Sequence, residues 1–131
     1  MIRTLTLLIL IFGLPLPLAA QGSAVLEIAS PSDTRLVQPS DMVRAEPGFD
    51  PSTGQPLLTL QFAPAMAAWF EAETAEHIGE RIELRVCGEV VTAPVVREVI
   101  PGGTVVVTGS FTAQETEALA ARLSGAAPCA D

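Results

Sequence analysis

RIELRVCGEVVTAPVVREVIPGGTVVVTG, residues 81–109, is the stretch on which the fold turns. Arg81 to Val86 alternates strictly: Ile82, Leu84 and Val86 point one way, Arg81, Glu83 and Arg85 the other. Such a period of two is a half-buried strand. Cys87-Gly88-Glu89 is a tight connection, and Val90 to Ala93 returns, so the pair reads as a β-hairpin. Pro94 ends it, because proline has no N–H to give a central ladder. An apolar loop, Val95 to Ile100, follows between Pro94 and Pro101. Gly102-Gly103 then leads into Thr104 to Gly109, another strand.

Outward from this segment the chain alternates regular and irregular pieces. On the C-terminal side, Thr112-Ala113-Gln114-Glu115 has the spacing of a capping box and predicts a helix over about 113–123, with Leu119 and Leu123 on its buried side and Gly125 as its stop. On the N-terminal side, Pro64 suits the first turn of a helix running to about Ile78. Ala65, Met66, Trp69, Ala72, Ala75 and Ile78 approximate its buried face, and Glu71, Glu73, Glu76 and Glu80 the other. Leu57 to Phe62 reads as a strand with Leu58, Leu60 and Phe62 on one face, and Ala24 to Ala29 as a short strand. Between them, residues 30–56 hold five prolines and predict an irregular arm, with a single helical turn starting in Pro39-Ser40-Asp41-Met42-Val43 and a turn at Asp50-Pro51-Ser52-Thr53-Gly54. The order predicts an α+β fold: a small antiparallel sheet with two amphipathic helices packed on one face.

The N-terminus reads MIRTLTLLILIFGLPLPLAAQG. A positive n-region at Arg3, an apolar run Leu5 to Leu14, a break at Pro15 and Pro17, and small residues at Ala19 and Ala20 are the parts of a secretory signal peptide over residues 1–20. The rest, residues 21–131, is one domain by size. All seven basic residues are arginines against fifteen acidic ones, a net charge of −8 over the chain and −9 once Arg3 leaves with the leader. That balance repels nucleic acid and anionic lipid surfaces. No further apolar run is long enough to span a membrane, so a periplasmic or otherwise exported location is expected. Cys87 and Cys129 are the only cysteines. In an exported chain an even count suggests a disulfide, closing a loop of about 43 residues worth about 4 kcal/mol on the chain-entropy account. A pair of free redox thiols is the rival reading, and it lacks the close C-x-x-C spacing.

Chemistry is sparse. The single histidine, His77, has Glu73 four residues before it and Glu80 three after, which puts all three on one helical face. A small metal-dependent hydrolase built on Glu73, His77 and Glu80 is one reading; a solvated acidic helix end is the other, and it is preferred because no second histidine or H-E-x-x-H order is present. Ser110 lies in TGSFT rather than in G-x-S-x-G, and Gly102-Gly103 has no following lysine, so neither a serine nucleophile nor a phosphate loop is supported. No catalytic residue, metal or cofactor is expected.

The second half nevertheless carries a pattern. Gly88 in the hairpin turn, Ala93-Pro94, Ile100 with Gly102-Gly103, Thr108-Gly109 with Phe111-Thr112, and Leu119-Ala120, Leu123, Gly125-Ala126 and Pro128 fall in one order. That order resembles the head subdomain of the first periplasmic domain of SecD, a component of the bacterial protein-export machinery. The resemblance covers about residues 36–128. It implies a non-catalytic binding or accessory module whose partner is unfolded, translocating polypeptide or another envelope or translocon protein. Val95, Val96 and Ile100 are the candidate contact, with core filling beneath the loop as the competing role for the same residues. A purely structural envelope protein is a third reading. Cys87 stands where that family usually has Asp, and the resemblance makes sense of both cysteines as a bridge tying the C-terminal tail to the hairpin.

Overall fold

The computed structural model describes residues 25–129; the leader reading at residues 1–20 lies outside them. The chain order is β1 (Leu26–Ala29), β2 (Thr34–Val37), a 3-10 turn (Pro39–Asp41), β3 (Met42–Phe49), β4 (Pro56–Phe62), α1 (Pro64–Glu76), β5 (Glu83–Val86), β6 (Glu89–Thr92), β7 (Thr104–Thr108) and α2 (Ala113–Leu123). The fold is α+β, but its strands form two antiparallel sheets, of order β2-β1-β5-β6 and β3-β4-β7. This corrects the expectation of one small sheet. The physical reason lies after the hairpin. Pro94 and Pro101 keep residues 94–103 from extending β6 into a further hairpin, and the chain crosses to pair β7 with β4 instead.

The expected irregular arm, 30–56, is also corrected, since it contains β2 and β3. β3 runs through Pro47, opposite Leu58. It lies at a sheet edge, where a missing N–H need not cost a ladder bond. The Asp50 turn closes the β3–β4 hairpin: its carboxylate accepts from Ser52 Oγ at 2.5 Å and from the Ser52 and Thr53 amides at 2.7 and 3.1 Å. These bonds, led by the Ser52 hydroxyl, hold the Asp50 carboxyl below the usual carboxylate range.

The core fills from both sheets. Leu26, Ile28, Leu84 and Val86 come from one, Leu58, Leu60, Phe62 and Val107 from the other, and Leu119 and Leu123 of α2 close on them. Each such side chain contributes about 1.5–3 kcal/mol on full burial. The Thr112–Glu115 capping box forms in both directions, at 2.8 and 3.1 Å. On α1 the buried face is Met66, Ala67, Phe70, Glu73, Thr74 and His77. It is rotated from the expected one: Ala65, Ala72, Ala75 and Ile78 are exposed. Phe70 meets Phe62 edge-on, with ring centroids 5.6 Å apart.

Candidate functional site

The apolar loop after the hairpin is held by its backbone. Gly79 N–H donates to Val96 O at 2.7 Å, and Val96 N–H to Glu80 O at 2.8 Å. Ile82 N–H donates to Pro94 O at 3.1 Å. At the far end Ile100 N–H donates to Thr74 Oγ1 at 3.0 Å, and that hydroxyl, fully buried, donates in turn to the α1 carbonyls of Phe70 and Glu71. The loop is thereby fixed against the α1–β5 connection.

This anchoring divides the three residues singled out above. Val96 is only 6% exposed and belongs to the core, as the core-filling reading has it. Val95 is 39% exposed and Ile100 half-buried, with Val99 exposed between them. Val96 therefore offers little surface of its own, and it lies with Val95 and Ile100 in the lining of an open cleft of about 360 Å³. The loop from Pro94 to Ile100 and β7 along its whole length line it, and Phe70, Thr74, Ile82, Leu84 and Thr92 complete the lining. Apolar and β-branched side chains dominate; Arg97 and Glu98 supply the only charges in the lining.

β7 was readable as a strand, but not as the wall of a site. Its sequence, TVVVT, says that it fits a pleated surface and not which neighbour it lacks.

His77 sits in a second polar cluster. Its Nδ1 lies 2.8 Å from Glu80 Oε2 and its Nε2 2.8 Å from Ser32 Oγ. A carboxylate only accepts, so Nδ1 carries the proton and the Ser32 hydroxyl donates to Nε2 in the neutral ring. Glu73 Oε2 lies 3.5 Å from Nε2 and accepts from Ser30 Oγ at 2.6 Å. Glu73 and His77 are buried, against the expectation of a solvated face for Glu73. The metal set Glu73, His77, Glu80 does not converge, because the two carboxylates address opposite ring nitrogens. The atoms that do lie within 4.8 Å of one another belong to Glu73, Glu76 and His77. With Ser30 and Ser32 engaged, the cluster pins the β1–β2 turn to the end of α1.

Cys87 and Cys129 form a disulfide with Cα atoms 5.5 Å apart, tying the segment after α2 to the β5–β6 turn. Cys87 and Gly88 have φ of 52° and 82°, the two positive values of a type I′ hairpin turn. Arg35 of β2 lies over the Trp69 ring, 5.0 Å from its centroid, so this side chain is covered by a cation–π contact. Among the described residues no helix is long and apolar enough to cross a membrane.

Comparison with known proteins gives one consistent result. The sequence profile of "SecDF, P1 head subdomain" matches residues 22–129. The protein translocase subunit SecD of Acidaminococcus fermentans is 38% identical over 107 residues, which is 81% of this chain and 25% of that protein. The subunit SecDF of Thermus thermophilus is 37% identical over 94 residues, 71% of this chain and 13% of that one. A solved structure of SecDF, described as a membrane component that enhances protein export, superposes with a TM-score of 0.62 at 35% identity, over 72% of this chain and 44% of its own. SecDF in its super-membrane-facing form gives a TM-score of 0.63 at 34% identity, over 74% and 13%. The chain thus spans a quarter or less of the length of these two translocase subunits.

Proposed function

The chain belongs to the SecDF P1 head subdomain family, and on that footing we propose that it is a non-catalytic, exported accessory module that holds unfolded polypeptide in the cleft between the Pro94–Ile100 loop and β7. The observation that carries this reading is the cleft itself. Its volume, about 360 Å³, falls in the range of ordinary ligand sites. Its lining is apolar with few charges, which suits a segment whose side chains have not yet found their own core. The anchored loop keeps it open in advance, so little ordering cost is left for binding.

An exported location rests on the leader-like N-terminus and on the disulfide, which persists in oxidising compartments. Cell fractionation is to recover a shortened chain outside the membrane; a full-length chain in the membrane pellet would contradict this.

The binding reading is tested with a fluorescent unfolded polypeptide, comparing the wild type with Val95→Asp. Val95 is exposed in the cleft, so the charge is tolerated by the fold but not by an apolar ligand. Affinity is expected to fall about tenfold, or about 1.4 kcal/mol. Equal affinity in a variant with an unchanged melting temperature would remove the cleft as the site. Val96→Asp is no substitute, because it buries a charge in the core.

A further inference from the structure

Resting on the reading of the cleft as a polypeptide site, we propose how the polypeptide is held: an extended segment adds to the free edge of β7 as a fourth strand of the β3–β4–β7 sheet. The register of that sheet says which backbone groups are available. β4 and β7 pair antiparallel from Leu57↔Thr108 to Gln61↔Thr104. The next step, Phe62 with Gly103, is a hydrogen-bonded pair, with Phe62 N–H donating to Gly103 O at 2.9 Å. Bonding alternates along an antiparallel ladder. Val105 and Val107 therefore bond inward to β4, while the N–H and C=O of Thr104, Val106 and Thr108 face away from it. Among the described residues no strand pairs with that side of β7, and Thr104, Val106 and Thr108 all line the cleft.

The other edges are blunted and this one is not. β3 carries Arg44, Glu46 and Pro47 and a register break between Met42 and Arg44. β2 carries Arg35, and β6 carries Glu89 and a break opposite Leu84 and Arg85. Charges, prolines and bulges are the devices that stop strands from recruiting partners. β7, Thr-Val-Val-Val-Thr, has none of them.

The same features define the occupant. Only an extended backbone matches the alternate free groups of Thr104, Val106 and Thr108. Every second side chain of the added strand falls on the face of Val105 and Val107, toward Ile82, Leu84, Val96 and Ile100, and must be apolar. The chain's net charge of −8 opposes pairing with a second copy and favours a segment flanked by basic residues. The occupant is thus a foreign extended segment of alternating apolar and polar residues with cationic flanks.

The test uses a peptide of alternating Val and Ser with Arg at both ends, and two versions N-methylated at alternate residues. Strand addition presents one set of amides to β7 and the other away from it. Methylating one set is expected to weaken binding about tenfold or more and the other set to leave it nearly unchanged. Equal binding by all three would overturn strand addition while leaving the cleft reading intact; no binding by the parent peptide would sink both. Val106→Pro removes an outward N–H without touching the β4 ladder, and is expected to weaken the parent peptide similarly at an unchanged fold. Full affinity in that variant would contradict the register, and a dimer of the wild type lost in Val106→Pro would place a second copy on the edge and overturn the assignment. A Glu-flanked peptide is expected to bind more weakly at low salt; equal affinity would contradict the charge assignment.

Discussion

Gly103 packs directly on Ala67: a Cβ built on Gly103 would lie 2.5 Å from the Ala67 Cβ and 3.3 Å from that of Phe62. The second glycine of the Gly102-Gly103 pair is therefore where the chain entering β7 passes the first turns of α1 with no room for a side chain. Its neighbour Gly102 faces open space. Both have positive φ, 77° and 73°.

The two glycines are accordingly expected to differ. Gly102→Ala meets only the left-handed backbone cost, about 1–2 kcal/mol. Gly103→Ala adds an overpacking cost of about 1–3 kcal/mol, because Ala67 is itself held in the core. Thermal or denaturant unfolding of the two variants checks this. Equal losses would mean that α1 gives way and the contact is not constraining.

The disulfide has an internal control in its own turn. Cys87 occupies a left-handed position, φ 52°, which Asp and Asn adopt more readily than most residues. Removing the bridge is expected to cost up to about 4 kcal/mol on the chain-entropy account. Cys129→Ser and the double Cys87→Ser, Cys129→Ser variant are expected to lose the same amount within error, since both lose one bridge. Cys87→Asp is expected to lose less than Cys87→Ser, because Asp relieves the turn. Additive losses for the two serine variants, in denaturant titrations with and without reductant, would show that the cysteines act separately.

How much of this was readable depends on whether the deciding interactions are local. The β5–β6 hairpin, the Thr112–Glu115 box and the start of α1 at Pro64 rest on residues within one or two turns of each other, and all three form as expected. β3 was not readable because Pro47 argues against a strand until it is known to lie on an edge. The buried face of α1 is not legible from its sequence, because its alanines make every side apolar enough. Its buried polar residues, Glu73, Thr74 and His77, are chosen by distant partners, Ser30, Ser32 and the Ile100 amide. The cleft was legible only as a loop. Its other wall, the open edge of β7, depends on strand order across two sheets.

The His77 cluster is expected to act as a structural tie. His77→Ala removes the partner of Ser32 and leaves Glu73 buried beside an empty space, a loss of about 1–3 kcal/mol. Faster amide exchange in the β1–β2 turn, residues 30–33, is to accompany it. Equimolar zinc is expected to leave the wild-type melting temperature unchanged, because both ring nitrogens are already engaged. A zinc-dependent rise that disappears in His77→Gln would instead establish a metal site and reopen hydrolytic chemistry.

The most direct measurement of the central claim is amide chemical-shift mapping on the isotopically labelled, disulfide-intact protein, titrated with a soluble unfolded polypeptide. Shifts are expected along the Pro94–Ile100 loop and Thr104–Thr108, with the largest at Val106, whose N–H faces away from β4. The turn at Asp50–Gly54 and the exposed face of α2 are to stay unchanged. Saturable shifts centred on β3 or α2, with β7 silent, would contradict the account.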